Sequence, residues 1–144
     1  MANQGLQLQI ALNAWLKEAA VWMSVHDSEG FDTASILAKL YYHAIVILSG
    51  IFDYRSYWVD VHIPILQNTE VQEHVSEILS ITKSALETTN LAGILLFFPL
   101  RVAGARVSIM GQKQLILEFL REISNKNFVV AGAFVQDLTQ LWGF

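Results

Sequence analysis

The stretch SILAKLYYHAIVILSGIF, residues 35–52, decides the fold class of this chain. Apolar residues occupy nearly all sides of its helical projection, which is typical of a helix buried at the centre of an all-α protein. Asp32 and Thr33 precede it, and both residue types cap the first turn of helices. The pattern therefore predicts a central helix around which the other elements pack.

The segments on both sides also carry helical patterns. In the N-terminal segment, apolar residues recur at steps of three and four, namely Leu8, Leu12, Trp15, Leu16, Ala19 and Trp22. Further helical segments are predicted within residues 71–86, 91–110, 115–123 and 131–142. No useful length of strand alternation appears. The sequence predicts an all-α, single-domain bundle of about six helices over residues 1–144, whose helices could stack in pairs.

The composition is apolar for a chain of 144 residues. Hydrophobic residues make up 53% and charged residues 15%, against usual fractions of about 45–50% and 25%. The excess indicates either an unusually full core or a surface that meets a ligand or a partner. We also expect a homodimer, because burial in an interface would cover part of an aromatic surface that includes Trp15, Trp22, Trp58 and Trp142.

Charge, cysteine content and hydropathy exclude several classes of function. The net charge is −4 and the nine basic residues form no stripe, which argues against direct DNA or RNA binding. The absence of cysteine excludes disulfides, thiolate catalysis and cysteine-ligated zinc. The longest apolar run ends before Arg101 and is shorter than the about 20 residues of a membrane span. Residues 1–5 carry no positively charged signal region, so we expect an intracellular protein of the cytoplasm or nucleus.

Motifs for cofactors and metals are missing from the sequence. It contains no glycine-rich dinucleotide motif, no P-loop and no G-x-S-x-G. The four histidines form neither H-x-x-x-H nor E-x-x-H pairs, and the spacing of Glu70 and His74 is more typical of a surface ion pair. We therefore expect no metal site and no cofactor.

His43 is a candidate site residue because it lies inside the apolar central helix. Its imidazole is either neutral with one hydrogen bond, or a general acid or base whose pKa burial has shifted. Tyr42, Ser49 and Asp53 share one face of this helix, at offsets of seven and eleven residues. Asp53 and Tyr54 form either a polar helix end or the polar end of an apolar pocket, which is the usual form of a ligand site.

Arg101 and Arg106 flank four small or branched residues, 102–105, that favour close approach of two helices. An arginine at such a contact needs a carboxylate, for which Asp53 and Asp60 are candidates. The arrangement predicts either an interhelix salt bridge or a clamp for an anion or a carbonyl group.

The connection after the central helix supplies two more candidates, because loops carry function more often than cores do. These are Trp58 and His62. The predicted catalytic residues are then Asp53, His43, Arg101 and Tyr54. The predicted ligand-binding residues are Tyr42, Ser49, Trp58, His62 and Arg106.

Three stretches resemble one protein family. They are LYYHAIVILSGIFDY at 40–54, LLFFPLRVAGAR at 95–106 and NFVVAGAFVQDLTQLW at 127–142. Together they resemble the C-terminal part of the regulatory region of fungal binuclear zinc-cluster transcription factors, over about residues 35–143. The resemblance implies an all-helical fold. This chain lacks the cysteines and the basic arm of those factors, so it should not bind DNA as they do.

Two hypotheses from different classes follow. In the first, a stand-alone regulator-like domain uses an apolar pocket to bind or convert a hydrophobic small molecule, as a cofactor-free cyclase, isomerase or pericyclase of fungal secondary metabolism. Asp53 or His43 would then move a proton, while Arg101 or Tyr54 would stabilise an oxyanion. In the second, the chain is a non-enzymatic regulatory, ligand-binding or protein-interaction domain of a transcription factor. The sequence favours the small-molecule pocket slightly and leaves binding and turnover open.

Overall fold

The computed structural model describes residues 2–25, 32–51, 66–91 and 93–144. Within these ranges the chain forms six α-helices and one short 3-10 helix, and no strand. The α-helices are α1 (Ala2–Val25), α2 (Thr33–Ile51), α3 (Asn68–Thr88), α4 (Phe97–Arg106), α5 (Met110–Asn125) and α6 (Ala131–Trp142). The 3-10 helix, Gly93–Leu96, leads directly into α4. The predicted all-α fold class is confirmed.

Helix α2 packs against both α3 and α4. Its first backbone hydrogen bond joins the Ile36 N–H to the Asp32 carbonyl, so the helix begins where the sequence predicted a cap. Leu40, Ala44 and Ile47 are completely buried, because steps of three and four residues place them on one stripe. This stripe, continued by Ile36, is the part of α2 that enters the core.

The remaining core comes from buried residues of α3, α4, α5 and α6. The α3 stripe includes Val71, Val75 and Ile78, and the α5 stripe includes Ile116 and Ile123. The start of α3 is closed by a capping box, in which the Gln67 backbone N–H donates to the Glu70 carboxylate at 2.8 Å. This bond satisfies an N–H group that has no partner inside the helix.

Helices α4 and α6 approach each other closely at Gly104. A Cβ atom at this position would lie 2.7 Å from Leu138 Cδ2, so only glycine fits without a shift of Leu138. The Trp142 indole N–H donates to the Gly104 carbonyl at 2.8 Å. Small residues in α4 thus bring α6 close enough for a side-chain bond to the α4 backbone.

Helix α1 packs against α2 but contributes no buried residue among its described side chains. Leu12, Leu16 and Ala19 are half-buried, whereas Trp15 is 44% and Trp22 38% exposed. The predicted helix is present, but its apolar stripe is not part of the core. Among the described helices, none has the length and hydropathy that a bilayer span requires.

Candidate ligand-binding groove

An open groove of about 510 Å³ lies between α1 and α2. Its volume falls within the range of about 300–1,000 Å³ that is typical of small-molecule sites. Residues at helical spacing on one face of each helix line it, namely Trp15, Glu18, Ala19, Trp22 and Met23 from α1 and Ala38, Tyr41, Tyr42 and Ile45 from α2.

The lining is mainly aromatic and aliphatic. Four of its side chains are aromatic, and Glu18 is the one charged residue among those that line the groove in the described part of the chain. The Tyr41 ring packs against Phe98 of α4 with the ring centroids 5.4 Å apart. This contact joins the α2 wall of the groove to α4.

Tyr42 connects the groove to a pair of histidines between α2 and α3. The centroid of its ring lies 5.2 Å from that of His43 and 6.5 Å from that of His74, in edge-on arrangements. The Nδ1 atoms of His43 and His74 are 2.8 Å apart. One of the two nitrogens must therefore donate a proton and the other must accept it.

Burial shifts the protonation of both histidines towards the neutral form. The pKa of His43 is lowered from 6.5 to about 4, mainly by desolvation and in smaller part by the charges of His74 and Lys39. Desolvation also lowers the pKa of His74, against the opposing effect of Glu73, Glu70 and Glu77. A base with a pKa near 4 accepts a proton poorly at neutral pH. His43 thus fits the structural interpretation, a neutral imidazole with one hydrogen bond, better than the catalytic one.

Arg101 forms an ion pair with Asp137 and so joins α4 to α6. The two side chains are 34% and 50% exposed. The carboxylates that the sequence suggested as partners, Asp53 and Asp60, lie outside the described residues. The sequence predicted either an interhelix salt bridge or a clamp for an anion or a carbonyl group at Arg101. The contact with Asp137 is an interhelix salt bridge.

The other predicted ligand-binding residues of the described chain do not line the groove, with the exception of Tyr42. The Ser49 hydroxyl donates to the Val46 carbonyl of its own helix at 3.1 Å. Arg106 is exposed at the end of α4, where its backbone carbonyl accepts a bond from the Gln72 side chain at 2.8 Å. The predictions for Asp53, Tyr54, Trp58 and His62 fall on residues outside the described ranges.

Sequence reasoning missed the partners that tertiary packing supplies. His74 was interpreted as half of a surface pair with Glu70, whereas its ring bonds His43 and Glu70 caps α3. Trp15 and Trp22 belong to the apolar stripe of α1, and the structure places them in the lining of the groove. The only signal in the sequence was the apolar periodicity of α1, which does not reveal what covers that face.

Two further findings complete the description of the site. Within the described ranges, no group of three or more histidine, cysteine, aspartate and glutamate side chains could hold a metal ion. Comparison of the chain with protein-family models, curated proteins and solved structures gives no match.

Proposed function

We propose that this chain binds a hydrophobic small molecule in the groove between α1 and α2. The observation that carries the proposal is a groove of about 510 Å³ with a mainly aromatic lining and few polar groups. Aromatic side chains supply large apolar contact areas, and tyrosine and tryptophan add a polar atom that can orient a ligand. This combination is the usual composition of a small-molecule site.

The exposure of the groove supports the same proposal. Trp15 and Trp22 keep 44% and 38% of their surface in contact with solvent, although both are large apolar side chains. A ligand in the groove would remove part of this surface from water, which stabilises the complex by about 25 cal/mol for each Å² of apolar area. The excess of apolar residues in the sequence then reflects a binding surface as well as a core.

The described residues support binding better than turnover. The Nδ1 atom of His43 is hydrogen-bonded to Nδ1 of His74, and Arg101 forms an ion pair with Asp137. The cyclase or isomerase hypothesis therefore depends on Asp53 and Tyr54, which lie outside the described residues. We propose a non-enzymatic ligand-binding domain, a role in keeping with the regulatory region of zinc-cluster factors that the sequence resembles.

A neutral fluorescent probe, N-phenyl-1-naphthylamine, tests the proposal. We expect saturable binding with enhanced probe fluorescence, and a loss of affinity of about tenfold or more in Ala38→Phe, because the new ring occupies the groove. Ala133→Phe is the matched control, since Ala133 is exposed on α6. Equal affinities of the two variants, or no binding by the unchanged protein, would overturn the proposal, provided that circular dichroism shows both variants folded.

A further inference from the structure

The described residues that line the α1–α2 groove include an acidic residue but no basic one. Trp15, Trp22, Tyr41 and Tyr42 line it, together with Glu18, whose side chain ends in a carboxylate. The faces of aromatic rings carry negative electrostatic potential because of their quadrupole. The carboxylate adds a full negative charge, and no lysine, arginine or histidine belongs to the described lining.

The basic residues next to the lining positions in sequence have other neighbours. Lys17 lines a second depression along α1, which shares Glu18 and Trp22 with the groove, but Lys17 does not line the groove itself. Lys39 acts on His43, whose pKa its charge lowers, and it also stays outside the lining. Successive residues of a helix point about 100° apart, so a neighbour in sequence need not share the groove. Neither lysine therefore places a positive charge in the lining of the groove.

We infer that the ligand of this groove is a small organic cation, a tertiary or quaternary ammonium with apolar substituents. The inference rests on the proposed function and names the class of its ligand. An ammonium group near the face of tryptophan or tyrosine is attracted by the ring quadrupole, and this attraction strengthens as water is excluded. The apolar substituents of the cation would contact Met23 and Ile45. The flexible thioether side chain of Met23 can adapt to substituents of irregular shape.

Charge complementarity decides between this ligand and the alternatives. An anionic ligand would meet repulsion from the negative charge of Glu18, with no basic lining residue to compensate. A neutral ligand would gain from apolar contact but not from the field of the groove. The groove therefore favours a ligand that has both a positive charge and an apolar surface. Its nitrogen needs no directional hydrogen bond.

A pair of probes with the same shape separates charge from apolar contact. Phenyltrimethylammonium carries a quaternary nitrogen where tert-butylbenzene carries a neutral carbon. We expect the cation to bind the protein about tenfold or more tightly than the neutral probe, as followed by tryptophan fluorescence. Glu18→Gln should reduce the affinity for the cation severalfold and leave the affinity for tert-butylbenzene unchanged. Glu118→Gln, at an exposed position on α5, is the matched control and should change neither.

The outcomes separate this inference from the proposed function. If tert-butylbenzene binds as tightly as the cation, or if Glu18→Gln and Glu118→Gln affect the cation equally, the cation preference is wrong while small-molecule binding stands. If neither probe binds and N-phenyl-1-naphthylamine also fails to bind, the proposed function fails and the ligand class fails with it.

Discussion

His43 of α2 and His74 of α3 face each other across the interface of their helices, with their Nδ1 atoms 2.8 Å apart. The hydrogen bond between them exists only while at least one ring is neutral. The charged groups around the pair are Lys39 on α2 and Glu70, Glu73 and Glu77 on α3. The pair therefore joins two core helices through a contact that protonation can remove.

We expect the free energy of unfolding to decrease as the pH falls from 6.5 towards 4. Between these values the unfolded chain binds more protons than the folded chain, because folding lowers the pKa of His43 from 6.5 to about 4. Stability therefore rises with pH in this window and its histidine-dependent part is complete above it. Since the pair is only partly buried, we expect the free energy of unfolding to be lower at pH 4.5 than at pH 7 by an amount on the order of 1–2 kcal/mol. Urea denaturation at the two pH values measures this difference.

The variant His43→Gln isolates this effect from the titration of the carboxylates. The difference in unfolding free energy between the unchanged protein and the variant should depend on pH across the same window. Parallel curves for the two proteins would show that His43 is not the group responsible.

The ion pair between Arg101 and Asp137 should contribute little to stability. Both side chains are partly exposed, and pairs of this kind contribute about 0.2–1 kcal/mol. We expect this coupling energy from a double-mutant cycle with Arg101→Met and Asp137→Asn, measured by chemical denaturation. Because Arg101 does not line the groove, the affinity for N-phenyl-1-naphthylamine should stay unchanged. A clear loss of affinity in Arg101→Met would restore Arg101 as a ligand-binding residue.

Substitution of Gly104 by alanine should destabilise the protein. The added methyl group would lie 2.7 Å from Leu138 Cδ2, and Leu138 is completely buried, so the core must shift at a cost of about 1–3 kcal/mol. Gly111→Ala in α5 is the control, because nothing lies within 4 Å of its added methyl group. Alanine has the higher helix propensity, so this variant should be as stable as the unchanged protein or more stable. Equal effects at both positions would contradict the close approach of α4 and α6.

The side chain of Gln72 should hold the connection between α4 and α5. Its amide accepts bonds from the backbone N–H and hydroxyl of Ser108, at 3.3 and 3.1 Å, and donates to the Arg106 carbonyl. In Gln72→Ala we expect faster amide hydrogen exchange at Ser108 and a stability loss of about 1–2 kcal/mol. Gln114→Ala, at an exposed site on α5, should change neither. Unaltered exchange at Ser108 would argue against this role.

Local patterns predicted the helices well because the code for a helix is local. Residues 35–52 have the periodicity and the preceding cap of a helix, and α2 spans Thr33–Ile51. The last helix was predicted within 131–142 and spans Ala131–Trp142. Each prediction needed only the spacing of apolar residues and the residues at the ends.

The site was harder to predict because its contacts join distant segments. His43 and His74 are 31 residues apart in sequence, and nothing near either one specifies the other. The apolar stripe of α1 predicts a helix but not the environment of its apolar face, since periodicity reports that a face is apolar and not what covers it. The structure leaves part of that face to solvent, at Trp15 and Trp22. The homodimer inferred from the same aromatic residues stays a prediction.

Methionine methyl NMR tests ligand binding in the α1–α2 groove most directly. Met23 lines the groove, whereas Met110 is exposed at the start of α5. In protein labelled with carbon-13 at its methionine methyl groups, added N-phenyl-1-naphthylamine should shift the Met23 signal saturably and leave Met110 in place. A Met23 signal that stays unchanged at saturating probe, or equal shifts at Met23 and Met110, would contradict binding in this groove.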